Sequence, residues 1–103
     1  MKYEIYTTKL DSLKEYEESR TETDSVSAAM RIAEALTAWI ADDSGGTGTV
    51  IVKRDGEVVT CVCFIEDEYI IDGDSYTDWR TAEEEVSYRI GQHASDLEME
   101  EMR

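Results

Sequence analysis

Six carboxylates and no cation occupy the stretch EDEYIIDGDSYTD, residues 66–78, and three more follow at Glu83, Glu84 and Glu85. Oxygen-rich segments of this kind bind hard divalent cations, or they attract lysine and arginine side chains on a basic protein surface. The residue types therefore indicate recognition of a cation, either as a metal ion or as part of a protein partner.

A partial calcium-binding pattern lies within this stretch. Tyr76 stands where an EF-hand loop has an oxygen donor, and Thr77 stands where its sharp turn needs glycine. We therefore predict no specific metal site and no cofactor. Four carboxylates do fall at positions 1, 3, 7 and 12 of such a loop: Asp72, Asp74, Asp78 and Glu83.

A converging set of catalytic groups is not evident in the sequence. The single histidine, His93, lies beside the apolar stripe of the last predicted helix, and we interpret it as a packing residue and not as a general base. The glycine-rich SGGTG leads from a helix into a strand, the reverse of the order in a phosphate-binding loop. We predict that the protein is not an enzyme and has no catalytic residues.

The two cysteines, Cys61 and Cys63, are separated by one residue in VTCVCFI. On a strand both side chains lie on the same face, where an extended backbone gives poor disulfide geometry. Two thiols with one histidine are also too few for a closed zinc site. We interpret both as buried core residues of a protein in a reducing cytoplasm.

Length and charge limit the classes of function. The 103 residues favour one domain, 1–103, and the apolar 41% falls in periodic runs typical of a folded chain. The 25 acidic and 10 basic residues give a net charge of −15. Such a surface repels anionic lipid and nucleic acid, so we expect no membrane and no direct nucleic-acid ligand.

The N-terminal part of the chain carries strand and helix signals. Alternating β-branched and aromatic residues predict a first strand over 2–8. Ser12 and Glu15 have capping-box spacing, which predicts a short helix over about 12–20.

A helix and a hairpin have the strongest signals. The apolar spacing in VSAAMRIAEALTAWI predicts a helix that is capped by Asp24 or Ser25 and ends near residue 42, before Ser44-Gly45-Gly46 as a C-cap and turn. Two β-branched runs around Asp55-Gly56 predict a hairpin with a type I′ turn.

A two-residue loop sets the register of this hairpin. It predicts that Val52 faces Val59 and that Val50 faces Cys61. Both faces of the hairpin are then apolar, so we expect both to be covered. The N-terminal segment or a second copy of the protein would cover the second face.

The C-terminal third predicts a short strand over 68–72 and a long helix from the capping-box pair Thr81 and Glu84 to Leu97, with a frayed tail beyond. The predicted fold is α+β. Its order is an N-terminal strand, a helix or helix pair, a three-stranded antiparallel meander and a long C-terminal helix, with the helices packed on a small sheet.

The charge itself has three interpretations. It can serve solvation in high salt, or association with a basic protein surface. In a special case of the second, the basic surface is a nucleic-acid channel. Carboxylates three or four residues apart on a helix stand about 5–6 Å from one another, close to the spacing of phosphates along a strand.

The chain resembles the small acidic inhibitors that phages use against host defence, the anti-CRISPR and anti-restriction proteins. The resemblance lies in its size, its net charge, its acidic helices and its lack of catalytic motifs. The resemblance implies a DNA-mimicking inhibitor in the cytoplasm of a bacterial host cell. Its partner would be a basic nucleic-acid-binding groove of a nuclease or CRISPR effector. Immunity proteins that neutralise basic nuclease toxins share this character and are the alternative.

The predicted partner-binding face runs from residue 66 to residue 85. Tyr76 is its predicted exposed anchor, because tyrosine and tryptophan often anchor interfaces. Tyr69 and Trp79 are interpreted as core or edge-covering residues, and homodimer formation is left open. The face comprises Glu66, Asp67, Glu68, Asp72, Asp74, Tyr76, Asp78, Glu83, Glu84 and Glu85.

Overall fold

A computed structural model describes residues 2–11, 14–43 and 47–101; within these ranges, the side chains of 9–11, 14–18, 41–43, 47 and 101 are not described. Six strands form one antiparallel sheet in the order β2-β1-β3-β4-β5-β6, and two helices lie on one of its faces. This confirms the α+β fold. The elements are β1 Tyr3–Asp11, β2 Lys14–Thr23, α1 Val26–Asp43, β3 Thr47–Arg54, β4 Glu57–Ile65, β5 Glu68–Ile71, β6 Asp74–Tyr76 and α2 Trp79–Glu101.

The helix predicted over 12–20 is wrong, because β2 pairs antiparallel with β1 along its length, from Tyr3 opposite Thr23 to Asp11 opposite Lys14. A nine-residue helix is marginal without tertiary packing, so a neighbouring strand edge that offers a full hydrogen-bond ladder overrides the local capping signal. Ser12, the cap of that predicted helix, lies outside the described residues, as does the predicted turn at 44–46.

Helix α1 begins as its sequence indicates. The hydroxyl of Ser25 accepts a hydrogen bond from the backbone N–H of Ala28 at 3.2 Å, so Ser25 is the N-cap. The buried face carries Ala29, Ala33 and Ile40 against the sheet, and this confirms the predicted apolar stripe.

Helix α2 begins at Trp79, three residues before the start predicted with Thr81 as the N-cap, and continues past Leu97 to Glu101. Asp78 is its N-cap residue: its carbonyl accepts from the N–H of Ala82 at 3.0 Å, and its carboxylate accepts from the hydroxyl of Thr81 at 3.1 Å. Ala82, Val86 and Ile90 are fully buried, as the apolar spacing indicated.

A β-bulge sets the register between β3 and β4. The turn at Asp55 and Gly56 has the predicted left-handed conformation, with φ of 50° and 87°. Lys53 lies opposite Val58, but Val52 lies opposite Thr60, so one extra residue enters β4 between these pairs. The predicted pairing of Val52 with Val59 is therefore wrong.

The bulge exchanges the faces of β4. Val62 and Phe64 lie beneath the helices with Val50 and Val52, whereas Cys61 lies beside Ile51 on the opposite side of the sheet. We call this opposite side the open face. The N-terminal segment extends the sheet and does not cover this side, which corrects one of the two covers expected for it.

Among the described residues, no helix is both long and apolar enough to span a membrane.

The turn between β4 and β5 has a non-ideal sequence. Glu66 and Asp67 both have positive φ, 52° and 65°, where asparagine and glycine are favoured. In the neighbouring turn between β5 and β6, Gly73 occupies the second position with φ of 93°.

Changing Glu66 to asparagine and Asp67 to glycine should raise the free energy of unfolding by about 1 kcal/mol, because both residues leave a strained conformation. Equilibrium urea unfolding measures this change. Gly73→Ala is the matched control: a Cβ there meets nothing within 4 Å, so its expected loss of stability reports backbone strain alone. A destabilised double variant would contradict the expectation.

Candidate partner-binding surface

The acidic stretch 66–78 folds as two turns and two short strands. The turn at Glu66 and Asp67 precedes β5, and the turn at Asp72 and Gly73 follows it. The four residues of β5 separate these turns by about 13 Å, at about 3.3 Å per residue. The predicted face is therefore divided between two ends of the sheet.

One group of predicted residues surrounds an arginine of α2, and we call it the Arg89 cluster. It contains Asp72, Asp74, Tyr76, Glu85 and Arg89 itself. The guanidinium donates from Nη1 to Asp72 at 2.9 Å, from Nη2 to Asp74 at 2.8 Å and from Nε to Glu85 at 2.9 Å. Nη2 also lies 3.4 Å from the hydroxyl oxygen of Tyr76.

Asp72 connects this cluster to the sheet. Its Oδ2 also accepts from the buried hydroxyl of Thr60 at 2.8 Å, and its Oδ1 accepts from the backbone N–H of Cys61 at 3.1 Å. Asp72 has φ of 49°, in the turn that presents its carboxylate to both partners. One carboxylate thus joins β4, the β5–β6 turn and α2.

Three carboxylates share one guanidinium, so the cluster keeps a formal charge of −2. The hydrogen bonds to Asp74 first, then to Asp72, Glu85 and Tyr76, raise the pKa of Arg89 above its ordinary value, although desolvation opposes them. Arg89 therefore stays protonated, and the three carboxylates form ion pairs with a cation of the same chain.

Metal binding gains no support from this arrangement. In the part of the chain that the structure describes, no group of three or more histidine, cysteine, aspartate or glutamate side chains is placed to hold a metal ion. Asp72 and Asp74, the first two positions of the partial EF-hand pattern, both bond to Arg89.

The remaining predicted carboxylates lie at the opposite end of β5. Tyr69 pairs with Tyr76 in antiparallel strands, so the turn before β5 and the segment after β6 lie at the same end of the sheet. Helix α2 starts directly after this segment. We call the resulting surface the acidic end; it comprises Glu66, Asp67, Glu68, Asp78, Glu83 and Glu84.

Cations contribute little at the acidic end. None of its six carboxylates forms an ion pair within the described ranges. Glu83 has a raised pKa, because burial disfavours its charged form and Glu34 of α1 and then Glu84 repel it, while Arg80 partly offsets them. Glu34 thus extends the acidic end onto α1.

Of the three aromatic residues near the acidic stretch, Tyr76 and Trp79 differ from prediction in their exposure to solvent, and Tyr69 agrees with it. Tyr76, predicted to be exposed, is half-buried against the core, because its ring lies opposite Tyr69 and its hydroxyl reaches Arg89. Tyr69 is a core residue, 4.8 Å from the ring of Phe64, as interpreted from sequence. Trp79 is 46% exposed, with the Arg80 guanidinium 5.2 Å from its ring centre.

His93 lies half-buried between two shallow surface hollows on α2. One, of about 400 Å³, is lined by residues that include Arg89, and the other, of about 320 Å³, by residues that include Arg54. The Nδ1 atom of His93 is buried without a hydrogen-bond partner in the described part of the chain.

Sequence reasoning missed Arg89 and Glu34. The spacing of Glu85 and Arg89, four residues apart on a helix, does indicate an ion pair. No sequence signal links Arg89 to Asp72, seventeen residues away, since that contact depends on how α2 packs beside β5 and β6.

Comparisons with protein-family models, with curated proteins and with solved structures find no match to this chain.

Replacing Arg89 by alanine leaves three carboxylates facing one another without their cation. We expect the free energy of unfolding to fall by about 2 kcal/mol, because their repulsion is uncompensated and α2 loses its bonds to the β5–β6 turn. Lysine should restore only part of this loss, since it lacks the planar fork that bonds several carboxylates at once. Urea unfolding of the variants measures both effects.

Arg80→Ala is the control on the same helix. Arg80 is exposed and forms no ion pair in the described ranges, so its removal should change stability by no more than about 0.5 kcal/mol. Equal losses for Arg80 and Arg89 would show that the cluster contributes bulk charge only.

The raised pKa of Glu83 gives a pH-dependent prediction. Below the unfolded-state pKa the carboxyl is protonated in both states, and as the pH rises through the higher folded-state pKa, ionisation costs stability. Glu83→Gln should therefore stabilise the protein by a few tenths of a kcal/mol at neutral pH and leave it unchanged in acid.

Thermal unfolding across this pH range measures the difference between Glu83→Gln and the original protein. Glu98→Gln, exposed on the last turns of the same helix, serves as the control and should show a smaller gain at neutral pH. A gain for Glu83→Gln that persists in acid would rule out repulsion as its cause.

Proposed function

We propose that the protein is an acidic, non-enzymatic inhibitor that binds a basic protein surface through its acidic end and blocks a nucleic-acid site there. The observation that carries this proposal is the concentration of six carboxylates, unpaired within the described ranges, at one end of the molecule. Retaining such charge costs stability through self-repulsion, so a cationic partner gives it a purpose.

Rigid elements support the carboxylates of the acidic end. Glu66 and Asp67 lie in a two-residue turn, and Glu83 and Glu84 lie on the second turn of a helix capped by Asp78. Preorganised charges lose little conformational entropy on binding, which favours a specific interface over diffuse attraction.

Trp79 replaces Tyr76 as the proposed aromatic anchor. It is exposed and lies at the start of α2, between Asp78 and the pair Glu83 and Glu84. Tryptophan is enriched among the residues that dominate binding energy, whereas rim carboxylates mainly increase the association rate. The surface thus combines an anchor with steering charges.

The proposed mechanism is steric and electrostatic blockade. Carboxylates on α2 approach arginines and lysines that otherwise contact phosphates, and the bulk of the domain then excludes the nucleic acid. The groove of a CRISPR effector or of a restriction nuclease is the proposed target. A basic nuclease toxin presents the same chemistry and is the alternative target.

Two triple charge reversals test the site. The first changes Asp67, Glu83 and Glu84 to lysine, and the second changes the exposed residues Asp96, Glu98 and Glu100 at the other end of α2. Each shifts the net charge from −15 to −9, because three reversals add six charges. Asp72 and Asp74 are left intact, since lysines there would face Arg89.

The measurement is inhibition of target-DNA binding by purified CRISPR effectors, restriction nucleases and nuclease toxins, each titrated with the protein. We expect the first triple variant to lose at least about 100-fold in affinity and the second to lose little. Raising salt should slow association. Equal losses from both variants, or no inhibition of any basic nuclease, would overturn the proposal.

A further inference from the structure

The open face of the sheet has an apolar centre that the described chain does not cover. Ile51 of β3 lies between Tyr6 of β1 and Cys61 of β4, and Cys63 lies between Thr49 and Ile70 in the next row. Val58, in the same face, is 59% exposed. Soluble proteins rarely leave a contiguous apolar sheet surface in water without a partner.

Several polar groups on the open face have partners within it. The hydroxyls of Thr8 and Thr49 hydrogen-bond to each other across β1 and β3. Arg20 forms an ion pair with Glu4, and its guanidinium lies 4.8 Å from the ring centre of Tyr6. The face can therefore lose water at its centre without leaving these groups unsatisfied.

Among the side chains that the structure describes, the charges of the open face balance, although the chain carries a net charge of −15. By strand pairing, Glu4, Glu22 and Glu68 belong to this face among the described side chains. They are balanced by three cations: Lys2, which pairs with Glu22 at 3.1 Å, Arg20 and Lys53. Two copies of this chain therefore repel each other less when they approach through this face than through their other surfaces.

The size of the open face suits a dimer. With strands about 4.8 Å apart and about 3.3 Å per residue, the plane of the open face covers roughly 600 Å², and the side chains that project from it add to this area. Standard interfaces bury roughly 800 Å² per partner, which is close to this value.

From these observations we propose that the protein forms a two-fold homodimer in which the open faces of two sheets pack against each other. Sheets packed face to face form a dry core between them, as in β-sandwiches. The helices of both copies then lie on the outside, so each copy presents its acidic end to solvent. This inference is independent of the proposed function, because it rests on the apolar centre of the open face, which contains no residue of the acidic end.

Sedimentation velocity tests the dimer directly. The expected mass is 23.4 kDa, twice the 11.7 kDa of one chain. Raising salt should tighten the dimer, because it screens repulsion between two acidic bodies. This is opposite in sign to the salt effect on a basic partner, so failure of the dimer and failure of the inhibitor are distinguishable. A mass of 11.7 kDa at all salt and protein concentrations would overturn the proposal.

Two substitutions locate the interface. Ile51→Glu places a charge at its centre and should weaken the dimer by at least about 100-fold. Val58→Glu changes a side chain that is already 59% exposed, so the single chain keeps its core and still loses affinity for its partner. Tyr88→Glu, at a residue 62% exposed on α2, is the matched control and should remain dimeric. Circular dichroism checks that each variant is folded.

Cysteine crosslinking provides a second readout. Strands β3 and β4 are the two central strands, so a two-fold axis through the centre brings Cys61 of one copy near Cys61 of the other. A short bismaleimide should produce a covalent dimer that disappears in Cys61→Ser. Dimers that survive both open-face substitutions, or that break in Tyr88→Glu, would place the interface elsewhere.

Discussion

The bonds that Arg89 makes to Asp72, Asp74 and Glu85 hold the acidic half of the molecule together. Helix α2 and the β5–β6 hairpin both carry excess negative charge, and without a shared cation they would repel where they pack. The guanidinium of Arg89 bonds to carboxylates of both elements, and the Arg89 cluster keeps a net negative charge. Carboxylates that look equivalent in the sequence therefore divide into a group that bonds to Arg89 and a group that forms no ion pair among the described residues.

The bulge between Val52 and Lys53 has an equally broad consequence for the sheet. Without it, a two-residue turn would place Val62 on the side away from Val50 and mix apolar and polar positions on both faces. The extra residue moves Val62 and Phe64 under the helices and sends the cysteines to the open face. A single local irregularity thereby decides which residues form the core and which remain for association.

Local signals were enough for the parts of the fold that they determine. The Ser25 cap, the apolar spacing of α1 and α2 and the Asp55-Gly56 turn act over a few residues, and the structure confirms them. The capping-box spacing of Ser12 and Glu15 predicts a helix where β2 forms. KEYEESR has few apolar residues to show a period of two, and only pairing with β1 makes it a strand. The site depends still more on tertiary structure, since neither the contacts of Arg89 with Asp72 and Asp74 nor the half-burial of Tyr76 has a sequence signature.

Charge is separated between the two sides of the sheet, and this separation limits how the molecule can associate. Ion pairs such as Lys2 with Glu22 balance the described charges of the open face, and many of the other carboxylates lie on the helices and in the turns. A basic partner is attracted to those surfaces, whereas a second acidic chain is repelled by them more than by the open face. Because the apolar centre of the open face contains no residue of the acidic end, one molecule can use both surfaces at once without competition between its partners.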